Sequence, residues 1–203
     1  MGHPLRTVTT TNTKPGHPAG HLSTTQTKEQ TMNELSREIY RRVGIANHEA
    51  AERMLTAWMA DSVFGLAHQL WCKGYSIIPL SADGKRPVRK WKRYQTEQCT
   101  LAELIEWFID YDFAPAIVTG KLSGITVIDC DNSEAADYWF EYGGDWYAEQ
   151  NTKRGRHYVH RWAGERNTVD LHAIAGIDRR GEGGYVKAYP QSMNWPTART
   201  INA

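Results

Sequence analysis

The apolar run "GITVIDC", residues 124–130, ends with aspartates at Asp129 and Asp131. Side chains alternate along a strand, so these two carboxylates would leave one face roughly 7 Å apart while Cys130 leaves the other. Carboxylate oxygens are the donors that hard divalent ions such as Mg²⁺ take, usually one or two of them together with substrate phosphates. The same stretch has a second use. Asp131, Asn132 and Ser133 carry the short polar side chains that make Asx turns and cap helices.

The spacing alone does not choose between these uses, and D-x-D also occurs in sugar-nucleotide transferases and in phosphatases of the haloacid-dehalogenase type. Companion residues lie downstream. In "NTKRGRHYVHRW" a Gly-containing turn precedes an alternating strand, with His157, Val159 and Arg161 on one face and Tyr158, His160 and Trp162 on the other. A histidine at that strand start can donate to a phosphate, with Arg154 and Arg156 adding charge; an ordinary surface or core histidine is the alternative. "GIDRRGEGGYVKAYP" then brings a third carboxylate, Asp178, beside Arg179 and Arg180. That group is either a structural ion pair or a further ligand at a metal–triphosphate site.

Elements able to position these residues can be read from periodicity. The apolar residues from Ala50 to Leu70 follow helical spacing, with Gly74 as the stop, and "YSIIPL" reads as a short strand. The loop after it holds the one dense basic cluster, Lys85, Arg86, Arg89, Lys90, Lys92 and Arg93, interleaved with Trp91 and Tyr94. Such a loop can hold phosphates with aromatic faces beside them, or be a solvated loop anchored by its tryptophan. Thr100 and Glu103 have capping-box spacing and open a helix through "TLAELIEWFIDY". "PAIVTG" and "GITVIDCD" read as adjacent buried strands, and a helix is expected from Ser133. The aspartates thus fall at a strand end before a helix, where α/β proteins place their chemistry.

The chain has 203 residues, a formal net charge of +1 and 23% charged residues, which suits one main core and gives no bulk electrostatic argument for a nucleic-acid partner. Residues 1–30 are rich in Thr, Gly, Pro and His and read as a flexible tail. A helical segment is expected over 31–60, starting near Asn33, and the main domain over 61–203. Cys72, Cys99 and Cys130 stand far apart with no C-x-x-C, which suggests neither a zinc site nor a disulfide framework. No apolar run is long enough to span a membrane, and no signal core opens the sequence. The expectation is a soluble, cytoplasmic protein.

In this order the motifs resemble the primase–polymerase domain of the archaeo-eukaryotic primase superfamily, of the bifunctional DNA primase/polymerase N-terminal type. The resemblance covers roughly residues 61–195. It is carried by "GYSIIPL…DGKRPVRKWKRYQ", "TLAELIEWF", "AIVTGKLSGITVIDCDN", "GRHYVHRW" and "IDRRGEGGYVKAYPQS". It implies an α/β (α+β) domain with an RRM-like mixed or antiparallel sheet flanked by helices. The implied activity is template-directed nucleotidyl transfer from (deoxy)nucleoside triphosphates on single-stranded DNA, in replication of a phage, plasmid or other mobile element of a bacterial or archaeal cell.

By the same resemblance Asp129, Asp131 and Asp178 would be the catalytic carboxylates that bind Mg²⁺ or Mn²⁺, and His157 would contact the nucleotide phosphates. Arg180 matches the Arg of a D-x-R-G element and Lys85 the Lys of a G-K-x-P loop, both as nucleotide or template contacts. Two departures stand out: Lys153-Arg154-Gly155-Arg156 precedes the histidine in place of paired glycines, and Tyr189-Pro190-Gln191-Ser192 replaces Pro-Pro-Ser. No P-loop motif occurs in the sequence, so a helicase would be a separate partner, the chain being stand-alone or a fragment. A non-catalytic nucleic-acid-binding adaptor and a metal-dependent nuclease are the other readings.

Overall fold

The computed structural model describes residues 62–111, 113–171 and 175–198, together with Glu34 and Arg37, both helical. The tail expected over 1–30 and most of the segment expected over 31–60 lie outside the described residues. Helix α1 (Val63–Cys72) begins where the Ser62 side chain accepts from the Gly65 amide, and buries Phe64, Ala67 and Leu70. Gly74, at φ +93°, turns the chain out of it. The chain then runs through β1 (Ser76–Leu80), α2 (Leu101–Ile105), β2 (Ala114–Val118), β3 (Ile125–Cys130), α3 (Ser133–Tyr142), β4 (Ala148–Asn151), β5 (Arg156–Arg161), β6 (Ile177–Arg180) and β7 (Tyr185–Lys187), and closes on a 3-10 turn over Pro190–Asn194.

The capping box forms as its spacing predicts: Thr100 accepts from the Glu103 amide, and the Glu103 carboxylate accepts from the Thr100 amide. The helix it opens is α-helical only to Ile105 and widens into a π turn over Glu106–Asp110. The wider turn keeps the consecutive bulky residues Trp107 and Phe108 both in the core.

The strands form two antiparallel sheets, three-stranded β1-β2-β7 and four-stranded β4-β5-β3-β6. This is the mixed α/β architecture, with helices on antiparallel sheets, that the sequence implies. One expectation is corrected. The strands β2 and β3 are consecutive but belong to different sheets, with an isolated bridge of Gly120 with Ile125 in the connection between them. Both edges of β2 are taken by β1 and β7, and both edges of β3 by β5 and β6.

The four-stranded sheet lies between two apolar clusters. From one face Ile125, Val127 and Val159 join the main core with α1, β1, β2 and β7 residues such as Leu70, Ile77, Ile117 and Val186. From the other face Ile128, Cys130, Tyr158 and Ile177 pack on Ala135, Ala136 and Trp139 of α3. Among the described residues, no helix is long and apolar enough to cross a membrane.

Candidate active site

Antiparallel register brings the chemistry onto one rung. Asp129 of β3 stands directly opposite His157 on one side and Asp178 on the other, and His157 stands opposite Gln150 of β4. Residues paired across a sheet share a face, so Gln150, His157, Asp129 and Asp178 form a polar row across all four strands. Arg180, two residues beyond Asp178, shares that face. His157 Nε2 lies 3.1 Å from Asp129 Oδ1, and the Arg180 guanidinium reaches Asp129 Oδ2 at 3.3 Å and Asp178 Oδ2 at 2.7 Å. The other Asp178 oxygen accepts from the Asp170 amide at 3.0 Å.

Asp131 lies past the strand end. Its amide donates to the Gly176 carbonyl at 2.8 Å, while its exposed carboxylate makes no hydrogen bond or ion pair among the described residues. The helix cap falls one residue later: Asn132 Oδ1 accepts from the Ala135 amide at 2.8 Å. Turn and carboxylate are therefore separate features of adjacent residues. Gly155 is required beside them, since a Cβ there would stand 1.9 Å from the Cys130 carbonyl oxygen.

The electrostatics of the two aspartates differ. Burial works against ionisation of Asp129, but the His157 hydrogen bond and the Arg180 charge outweigh it and hold the carboxyl below its usual range. Burial and then the charges of Asp129 and Asp178 push the Asp131 carboxyl up. Negative charge thus converges at Asp131 from a set of oxygen donors, the environment that suits a hard divalent cation. Asp129, Asp131 and Asp178 are the residues that could hold one. Among the described residues no group of three or more His, Cys, Asp or Glu side chains is gathered closely enough to hold a metal ion, and Arg180 is paired with both Asp129 and Asp178.

His157 and Asp129 of the row line a cleft of about 630 Å³, whereas Gln150 and Asp178 are buried and do not line it. Asp129, Asp131, His157 and Arg180 form one wall; Lys85 and Gly84 of the β1 loop, Lys187 of β7, and Lys153 and Arg154 of the β4–β5 turn line the rest. Along the same face Val127 and Val159 join the main core, while Asp129 and His157, one step further along their strands, line the cleft. Lys85 reaches the cleft from a loop folded back on β1 through the Leu80–Pro87 bridge. The rest of the basic cluster is partly spent elsewhere: Arg89 pairs with Glu106 at 2.9 Å, and Arg93 pairs with Glu103.

Comparison with known families decides what this arrangement belongs to. The model of the Prim-Pol family, bifunctional DNA primase/polymerase, N-terminal, matches residues 67–202. The chain belongs to this family. No curated protein matches it. DNA primase/polymerase activity, with DNA and nucleotides as ligands, is the general activity of a Prim-Pol domain.

In this Prim-Pol domain the rung gathers Asp129, His157 and Asp178, Arg180 joins them from two residues along β6, and Lys85 shares the cleft lining with Asp129, His157 and Arg180. Arg156 is placed otherwise. It pairs in register with Cys130, on the face opposite His157, and its side chain lies 3.6 Å from Glu149 and over the Tyr158 ring, outside the cleft lining. Strand alternation is the reason, and Lys153 and Arg154 in the preceding turn are the basic groups that do face the cleft. Three further polar residues escaped the sequence reading. Lys187 lines the cleft with its ammonium 5.7 Å from the Tyr189 ring centre. Gln150 and Ser192 are buried behind His157. Lys187 could have been found from its alternation with buried Val186; nothing local marks Gln150 or Ser192.

Proposed function

We propose that residues 61–203 form a template-directed nucleotidyltransferase that makes or extends primers on single-stranded DNA from nucleoside triphosphates, in replication of a phage, plasmid or similar element. The observation that carries this reading is the cleft of about 630 Å³ in which Asp129, Asp131, His157 and Arg180 share the lining with Lys85, Lys153 and Lys187, with Asp178 beside Asp129 on the same rung. That size accommodates a ligand such as a nucleotide.

Asp129, Asp131 and Asp178 would hold the divalent cations, Mg²⁺ or Mn²⁺. Bound there, the ions would supply Lewis-acid stabilisation of the attacking 3′-oxygen and of the departing pyrophosphate. The chain's own groups do the rest. His157 and Arg180 present N–H donors on the carboxylate wall, where phosphate oxygens would sit beside the cations. Lys85 and Lys187, with Lys153 and Arg154 at the turn, neutralise triphosphate charge from the other sides. The back of the sheet, packed on α3, keeps the rung in register while substrates exchange.

The test is the whole chain incubated with a single-stranded template, Mg²⁺ or Mn²⁺ and labelled nucleotides, with and without a primer. New strands that contain label support the proposal. Shortened templates would make the protein a nuclease, and retarded but unaltered templates would make it a binding adaptor; either overturns it.

A further inference from the structure

Behind His157 runs a line of buried polar groups that the reaction proposed above does not use. His157 is 5% exposed, Gln150 2% and Ser192 0%, so each polar atom there needs a partner inside the protein. The line has a direction that can be deduced from its far end. The Tyr189 amide donates to Ser192 Oγ at 3.1 Å, which leaves the Ser192 hydroxyl hydrogen free to go to Gln150 Oε1. Gln150 Nε2 lies 3.3 Å from the Lys187 carbonyl, which only accepts. The Lys187 carbonyl, which cannot donate, therefore fixes which end of the Gln150 amide is the nitrogen, and Ser192 supplies a donor to the other end.

The same Nε2 stands 2.7 Å from His157 Nδ1. An amide nitrogen has only hydrogens to offer, so Nδ1 must present its lone pair. The ring hydrogen then sits on Nε2, which faces Asp129 Oδ1 at 3.1 Å. We propose that Gln150, oriented by Ser192 and the Lys187 carbonyl, is a positioning residue that fixes His157 as its Nε2–H tautomer. The imidazole then directs its one hydrogen-bond donor at the Asp129 carboxylate on the cleft wall and has no basic lone pair there. His157 in this arrangement binds anionic oxygen and does not accept the proton of an attacking hydroxyl. The tautomer stands on the geometry alone; that the oxygen served is a nucleotide phosphate rests on the function proposed above.

Proton–nitrogen long-range correlation spectra of the full chain test this, with the His157 signals assigned against His157→Gln. Wild type should show Nε2 protonated and Nδ1 bare. Gln150→Glu, whose carboxylate only accepts, should bring a proton to Nδ1. Ser192→Ala should mix the tautomers and Ser192→Thr should restore the wild-type pattern. In nucleotide incorporation, Gln150→Glu should raise the nucleotide KM on the order of tenfold, the worth of one misdirected hydrogen bond to a charged group. A wild-type spectrum with the proton on Nδ1 would overturn the proposal even if no variant folds, and so would a Gln150→Glu spectrum identical to wild type. The expected tautomer in a chain that incorporates no nucleotide would uphold the positioning role and overturn only the proposed reaction.

Discussion

The two faces of the β4-β5-β3-β6 sheet are made from alternate residues of the same strands, yet only the front one carries the residues of the cleft wall. On β3, Ile128 and Cys130 go back into the α3 cluster while Val127 and Asp129 come forward; on β5, Tyr158 goes back while His157 and Val159 come forward. Behind Ile128, Cys130, Tyr158 and Ile177 the back face is covered by α3. Tyr158 is fully buried and its hydroxyl donates to the Ala136 carbonyl at 2.9 Å, which ties α3 to the sheet. The front face is apolar at Val127 and Val159, then polar at Asp129 and His157, which line the cleft. One face therefore sets the distances among strands, and the other uses those distances to bring Asp129, His157 and Asp178 together. A stability change and an activity change should separate by face, even between adjacent residues.

The largest effect is expected on the front. Asp129→Ala and Asp178→Ala should each lower strand synthesis on the order of a thousandfold, the scale at which a lost charge-stabilising group acts, while the thermal unfolding transition stays cooperative. Ile177→Ala, on the back, should reverse that pattern. It should cost about 2–5 kcal/mol in denaturant titration, as truncation of a fully buried side chain does, with synthesis per folded molecule kept.

A third effect lies outside both faces, in the α1 layer. Burial lowers His68 from its ordinary 6.5 to about 4. The unfolded chain takes up the proton first as pH falls. The stability contribution is thus complete above 6.5 and is lost as pH drops toward about 4, by about 3 kcal/mol at most. Unfolding curves across that range should show the loss, and His68→Leu should flatten it. The smallest effect separates turn from site. Asn132→Ala should cost about 1 kcal/mol of stability as a lost helix cap, with Asp131 and strand synthesis left in place.

Much of this contrast was legible in the sequence. The run ending at Asp129 and Asp131, the strand at His157 and the helix from Ser133 all follow from local period and polarity, and the order of the motifs pointed to the family. Alternation also bore on Arg156: a residue adjacent to His157 on one strand has to leave the other face. What could not be read is pairing between distant segments. The apolar pattern of β2 and β3 marks them as buried strands but does not say which neighbours fill their edges. Gln150 and Ser192 look like unremarkable polar residues until β4 and the closing 3-10 turn are folded against His157. A buried glutamine has no signature in one sequence, because the burial itself is a tertiary fact.

Asp129→Ala and Ile128→Ala, neighbours on opposite faces, give the most direct test. Both would be assayed for labelled strand synthesis on a single-stranded template with Mg²⁺ or Mn²⁺, each rate divided by the fraction folded at the assay temperature. The account expects Ile128→Ala to keep near wild-type synthesis per folded molecule and Asp129→Ala to make no new strands. Comparable synthesis by Asp129→Ala, or no synthesis by the wild-type chain, would contradict it.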